Sequence, residues 1–397
     1  MAVVEIQPSR MTPDKPRIRF DRNEFAGAFG DIGTDLPLIV GMILVAGLDA
    51  ASVLILFGAM QVLTALWYRM PIPVQPLKAV AALVIAQKAT PEVLYGAGLA
   101  IGIVMLALTV TGGLDLLARI IPKLVIRGIQ FGLGLQLATL ALKEFVPADG
   151  AAGFVLAGVA FVIAVALLGN RKYPAALFII GLGVAYALAF KAPFDGALAG
   201  IGLSTPQVRV PTLEHIWLGF LLLALPQIPL SLGNSVLATK QLVADYFPDR
   251  PLSLRKIGFT YSVMNLINPF FSGIPTCHGS GGLAGHYAFG ARTGGSVVIY
   301  GALYLVLGLF LSGAFASVIQ VFPKPILGVI LAFEGLALMV LVRDQAATDA
   351  PRYALPIAIM VGLMAVGLPY GYVIGMGVGT ILAALATRYG IGGVFSK

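Results

Sequence analysis

The chain has 397 residues, of which 58% are apolar and only 11% charged, and its mean hydropathy is +0.93. A soluble domain carries about 25% charged residues to solvate its surface, so a set of soluble globules is excluded and the chain is an integral membrane protein. A single cysteine (Cys277) excludes an internal disulfide or a cysteine metal cluster, three histidines argue against a His-rich metal centre, and the net charge of +8 lies in loops, where it sets topology rather than nucleic-acid binding.

Residues 1–23 form a polar tail carrying Arg10, Lys15, Arg17, Arg19 and Arg22, with no cleavable signal segment after it. Apolar segments follow at approximately 24–47, 50–69, 76–88, 92–113, 123–142, 151–169 and 174–191. A polar linker over 192–212 separates them from a second series at 213–238, 254–272, 278–288, 294–319, 323–342, 353–368 and 370–388. A helix needs roughly 20 apolar residues to cross the bilayer. The segments at 76–88 and 278–288 are too short for that. With the N-terminus inside, alternate loops place nineteen Lys and Arg on the cytoplasmic side against five outside. Both termini are therefore expected in the cytoplasm.

The chain repeats itself. Residues 121–137 (IPKLVIRGIQFGLGLQL) align with 322–338 (FPKPILGVILAFEGLAL), matching Pro122 to Pro323, Lys123 to Lys324 and Gly134 to Gly335. Nearly the same offset pairs Ile72-Pro73 with Ile274-Pro275 and Phe29-Gly30-Asp31 with Leu232-Gly233-Asn234. Seven spans per half is odd, so the halves enter the membrane with opposite orientation. The expected fold is an all-α membrane protein of about fourteen segments in two inverted repeats, 24–191 and 213–397, with half-helices in the third and tenth segments. Interrupted helices in matching positions point to the binding site of a secondary transporter.

Three prolines in Pro71-Ile72-Pro73-Val74-Gln75-Pro76 forbid a continuous helix, and Pro76 suits the first turn of a new one, with Lys78 one turn in. Asn268-Pro269 and Gly273-Ile274-Pro275-Thr276-Cys277-His278-Gly279-Ser280-Gly281-Gly282 read the same way. Two helix N-termini meeting near the midplane form an anion site, each offering free N–H groups and partial positive charge. Gly279, Gly281 and Gly282 allow close backbone approach, Ser280, Thr276 and Gln75 add neutral donors, and Lys78 adds a formal charge. Cys277 and His278 lie where a ligand would. The plain alternative is that Gly and Pro only permit kinks and close helix packing.

Asp31 and Asp35 lie four residues apart in the first segment, beside Thr34. Ionisable groups at such depth are usually functional, and paired carboxylates equip a carrier for proton coupling; a structural ion pair with Lys78 or Arg292 is the alternative. Glu334 is a third coupling candidate, read more readily as a structural or interface residue. Gln227 and Asn234, the latter matching Asp31 in the repeat, serve either a tetrahedral anion or helix–helix hydrogen bonding.

Phe25-Ala26-Gly27-Ala28-Phe29-Gly30-Asp31-Ile32-Gly33-Thr34, Pro73-Val74-Gln75-Pro76-Leu77-Lys78-Ala79 and Cys277-His278-Gly279-Ser280-Gly281-Gly282-Leu283-Ala284-Gly285 resemble the signatures of the molybdate transporter family of plants and bacteria, a branch of the SulP sulfate-permease superfamily. The resemblance implies a fold like that of the uracil permeases, with a core of segments 1–4 and 8–11 moving like an elevator against a gate of segments 5–7 and 12–14. It places the substrate between Gln75–Lys78 and Cys277–Gly281, walled by the first and eighth segments. No STAS-type regulatory domain is expected after the last segment, although SulP proteins commonly carry one.

The expected activity is import of molybdate, or of sulfate or oxyanions generally, across the cell membrane (a bacterial inner membrane), with protons as candidate co-substrate and no cofactor. An anion channel on the same fold is the rival reading, and assembly as a homodimer is left open. No nucleotide-binding motif supports ATP-driven pumping, and no metal or nucleophile constellation supports an enzyme.

Overall fold

The computed structural model describes residues 17–167, 175–190, 200–347 and 350–389. The tail residues 1–16, Arg171 and Lys172, Lys191 and the first part of the linker (192–199), and the terminal residues 390–397 lie outside them. The first half comprises α1 (Arg22–Ala28), α2 (Ile32–Ala46), α3 (Ala50–Tyr68), β1 (Val74–Pro76), α4 (Lys78–Gln87), α5 (Pro91–Thr111), α6 (Gly113–Ile120), α7 (Lys123–Leu140), α8 (Gly150–Ala166) and α9 (Ala175–Phe190). The second comprises α10 (Leu213–Gly219), α11 (Leu225–Leu230), α12 (Ala238–Tyr246), α13 (Leu254–Ile267), β2 (Thr276–His278), α14 (Ser280–Ala288), α15 (Gly295–Phe310), α16 (Ser312–Val321), α17 (Lys324–Val340), α18 (Ala354–Gly367) and α19 (Gly371–Tyr389).

Every apolar segment of the sequence contains helix, but not every helix is long enough to span. Among the described residues seven helical stretches are long and apolar enough to cross a membrane, or eight if α15 and α16 form one broken span. Those two helices meet at 92°, so the segment read over 294–319 is bent at Leu311. The cause is the linker. Gly202 and Ser204 donate their backbone N–H groups to the carbonyls of Phe310 and Leu309 at 3.0 and 2.8 Å, and Ser204 Oγ lies 2.8 Å from Ser312 Oγ. They satisfy the last carbonyls of α15 from outside the helix, so the chain can turn at Leu311.

The Pro-rich stretches form an antiparallel strand pair, Val74 opposite His278, Gln75 opposite Cys277 and Pro76 opposite Thr276. Backbone this irregular survives in a membrane only with its polar groups satisfied inside the protein. Each outer strand edge is completed by an amide side chain. Gln61 on α3 donates to the Val74 carbonyl (2.6 Å) and accepts from the Val74 N–H (2.7 Å). Asn265 on α13 does the same for Thr276, at 2.6 and 2.9 Å. Matching helices of the two halves thus brace matching strands.

Two packing groups surround this ribbon. In one, α3 lies along α15 and α5 packs against α13 and α10. In the other, α7 packs against α17 and α18, and α18 against α19. The repeat-related glycines Gly134 and Gly335 face each other there: a Cβ on either would strike the other's carbonyl oxygen. The start of α7 also meets the turn just after α17, because Lys123 Nζ and Arg127 Nη2 reach Asp344 Oδ2 at 2.8 and 2.7 Å. These helices are antiparallel, the relation that opposite insertion of the two halves requires.

Candidate functional site

Because β1 and β2 are antiparallel and each runs directly into a helix, the starts of α4 and α14 converge on the ribbon from opposite ends. Lys78 is the first residue of α4 and Ser280 the first of α14. The strand extends further than the proline pattern suggested: the Leu77 N–H donates to the Pro275 carbonyl at 3.1 Å. Pro76 is consequently a strand residue rather than part of a helical first turn, and Lys78 opens its helix instead of lying one turn in.

A cavity of about 190 Å³ opens between these helix starts. It is lined by Gln75, Lys78, Gln227, Asn234, Cys277, Gly279, Ser280 and Gly281, together with Ser235, Ala79, Leu230 and, from α7 and α17, Gln130, Leu133 and Leu338. Thr34, Pro76, Thr276 and His278 are not on its wall. Strand alternation explains two of these: with Cys277 turned toward the cavity, its neighbours face away. Thr276 Oγ1 is 3.2 Å from Asn268 Nδ2, and His278 Nε2 lies 2.7 Å from Thr260 Oγ1, its ring edge-on to Tyr68. Thr34 donates to Asp31 Oδ1 at 2.7 Å.

The two helix starts are not equivalent, although both were expected to offer free amides. Gln227 Oε1 accepts from the backbone N–H groups of Ala79 (2.9 Å) and Val80 (3.2 Å), and its Nε2 donates to Ser231 Oγ at 3.0 Å. The start of α4 is therefore capped from within the protein. Among the described residues no side chain accepts from the first amides of α14. A Cβ on Gly281 would meet nothing within 4 Å, so the cavity reaches the α14 backbone there. An uncapped helix start facing an open polar cavity is suited to an anion.

Gln75 was expected to donate to a ligand. Its Nε2 instead donates to both oxygens of Asp31, at 2.7 and 2.6 Å, since a carboxylate can only accept. Asp31 Oδ2 also lies against Gly282. Asp35 is fully buried; Tyr300 donates to its Oδ2 at 3.2 Å, and its Oδ1 has no hydrogen-bond partner among the described residues.

The Lys78 ammonium makes no direct hydrogen bond or ion pair among the described residues, while Glu334, Asp31 and Asp35 are within electrostatic range of it. Arg292, the other partner considered for the acids, donates to the Tyr287 carbonyl and stacks on that ring. The groups invisible to sequence reasoning are Gln130, which brings a polar side chain from α7 into the cavity, and the bracing amides Gln61 and Asn265. A lone glutamine in an apolar helix carries no local signal beyond its cost of burial.

Comparison with known proteins matches this arrangement. The profile of the family described as "Molybdate transporter of MFS superfamily" aligns with residues 23–137 and 219–338, which include the strand pair, both half-helices and the α7 and α17 faces of the cavity. Molybdate transporter 2 of Arabidopsis thaliana is 34% identical over 369 residues, covering 81% of this chain and 79% of that one. Molybdate transporter 1 of Chlamydomonas reinhardtii is 26% identical over 479 residues, covering 91% of each. Among solved structures, the transmembrane domain of the cyanobacterial bicarbonate transporter BicA superposes with a TM-score of 0.64 at 15% identity, covering 93% of this chain and 98% of that chain. SLC26A9 superposes at 0.69 with 13% identity, covering 92% and 65%. The fold is that of these membrane transporters.

Proposed function

The chain belongs to the molybdate transporter family, and from that premise we propose that it is a secondary transporter importing molybdate, with sulfate as the competing substrate. The observation that carries the reading is the asymmetry of the helix starts. One is capped by Gln227, and the other is left open on the cavity that Lys78 enters. An oxyanion seated there accepts from the first amides of α14 and from Ser280, with Lys78 as counter-charge and Asn234 and Cys277 alongside.

Charge balance supports proton symport. Lys78 contributes one positive charge, whereas Asp31, Asp35 and Glu334 lie in its electrostatic range. With all three ionised the site is net negative and opposes a dianion; each proton taken up relieves that opposition, so anion and proton binding are linked. Asp35 is the favoured coupling group, because it is fully buried and its Oδ1 has no hydrogen-bond partner among the described residues. Import of a dianion against a negative-inside potential also needs compensating charge.

The moving parts are a core of α1–α5 and α10–α16 and a gate of α7–α9 and α17–α19, with the cavity between them. An elevator displacement of the core against the gate would carry the half-helices and their anion across, in a cell membrane with both termini cytoplasmic. The test is uptake of radiolabelled molybdate into proteoliposomes, with and without excess sulfate, at two external pH values. Saturable, acid-stimulated uptake with counterflow supports the reading. Ohmic anion current without counterflow would make the protein a channel, and no uptake of either oxyanion would overturn the substrate assignment.

A further inference from the structure

Gln130 is the polar residue that α7 brings to the cavity wall. It is fully buried, and its Nε2 has no hydrogen-bond partner among the described residues. A buried amide donor left unpaired is costly, so its presence on the wall of a polar cavity points to a ligand. Its orientation is set from behind. Arg127 Nη1 donates to Gln130 Oε1 at 2.9 Å. A guanidinium has five donors and no acceptor, so the amide oxygen must face Arg127 and the NH2 must face away. Arg127 is fixed in turn, its Nε and Nη2 donating to Asp344 Oδ2 at 2.9 and 2.7 Å. Asp344 also takes Lys123 Nζ at 2.8 Å and Gln345 Nε2 at 2.6 Å.

We propose that Gln130 is an anion ligand supplied from the gate side: its Nε2 donates to the oxyanion seated between Lys78 and Ser280–Gly281, and Arg127, locked by Asp344, is the positioning residue that keeps the donor edge toward the cavity. This rests on the oxyanion-transport reading above and deepens it. The anion bridges two groups of helices, so its binding stabilises the arrangement in which α7 closes on the half-helices. A donor whose acceptor end is blocked favours fully deprotonated oxyanions, which only accept, over partners presenting an O–H.

The test is equilibrium binding of radiolabelled molybdate to the purified full-length protein in detergent, for wild type, Gln130→Met, Gln130→Glu, Arg127→Lys and the Arg127→Lys/Gln130→Met pair, with Lys78→Ala as reference. Gln130→Met keeps the volume and removes the donor, and is expected to weaken binding roughly tenfold or more; Gln130→Glu, which turns an acceptor toward the anion, weakens it further. Arg127→Lys is expected to weaken binding when Gln130 is present and to have no further effect in Gln130→Met, a non-additivity that a merely structural role would not produce. Thermal unfolding of each variant identifies loss of fold, and if Gln130→Met does not fold, the isosteric Gln130→Glu carries the same comparison. Wild-type binding matched by folded Gln130→Met or Gln130→Glu overturns the inference while leaving the transport reading intact. No binding by the wild type overturns both.

Discussion

Gln227, from the second half of the chain, caps the helix that Lys78 begins in the first: its Oε1 lies 2.9 Å from the Ala79 amide nitrogen. This cap, shared with the Val80 amide, separates the roles of two half-helices that the repeat makes look alike. Removing it in Gln227→Leu leaves Ala79 and Val80 unpaired and is expected to cost about 1–2 kcal/mol of stability, the range for a lost cap. Gln227→Glu keeps an acceptor at the helix start and so retains stability, but sets a negative charge beside the cavity. Thermal unfolding and molybdate binding, measured together, should therefore part company: Leu lowers the first and Glu the second.

Three neighbouring glycines give a sharper steric test. A Cβ at Gly281 meets open space, whereas one at Gly279 strikes the Gln75 side chain and one at Gly282 strikes Asp31 Oδ2 and Pro73. Gly281→Ala is expected to fold with near-normal thermal stability and to lose anion affinity, because its methyl occupies the backbone face of the cavity. Gly279→Ala and Gly282→Ala are expected to lower the yield of folded protein, read by size-exclusion profile and unfolding midpoint.

Much of this site was legible in the sequence, and the reason is backbone chemistry. Pro73 and Pro275 disfavour a helix interior, so the two breaks were readable from residue type, whereas Pro76, read as a helical first turn, belongs to the strand. The repeat aligned Gly134 with Gly335, and the structure adds that the two pack against each other. What stayed hidden were the amides. Gln75 reads as a ligand but is turned onto Asp31; Gln227 reads as ligand or packing residue and is a helix cap; Gln61, Asn265 and Gln130 gave no signal. An amide has a donor end and an acceptor end, and only a tertiary partner decides which one faces a cavity. The bend at Leu311 was hidden for a related cause, since the groups satisfying its carbonyls come from Gly202 and Ser204, far away in sequence.

The proposed proton coupling through Asp35 has its own variant. Asp35→Asn is neutral at every pH and still offers Tyr300 an acceptor oxygen, so the fold is expected to hold. In proteoliposomes its molybdate uptake should lose its acid stimulation while molybdate–molybdate exchange persists. Acid stimulation equal to wild type would move the coupling proton to Asp31 or Glu334.

Glu24 serves the scaffold rather than the site. Its Oε1 accepts from the backbone amides of Arg292 and Thr293 at 2.9 and 2.8 Å, and its Oε2 from Ser296 at 2.9 Å, which ties α1 to the start of α15. Glu24→Gln turns one acceptor into a donor facing a donor, and is expected to cost about 1–3 kcal/mol. A lowered unfolding midpoint with unchanged molybdate affinity in the surviving protein is the result to look for.

The most direct test of where the anion sits needs no mutation, because the chain holds a single cysteine and Cys277 lies on the cavity wall. Wild-type protein is treated with a small mercurial, and the rate of labelling at Cys277 is followed with rising molybdate. Labelling without molybdate, and protection that saturates with it, is expected if the anion occupies the cavity between Lys78 and the start of α14. Labelling that is indifferent to saturating molybdate, or a thiol that is never reached, would contradict that placement.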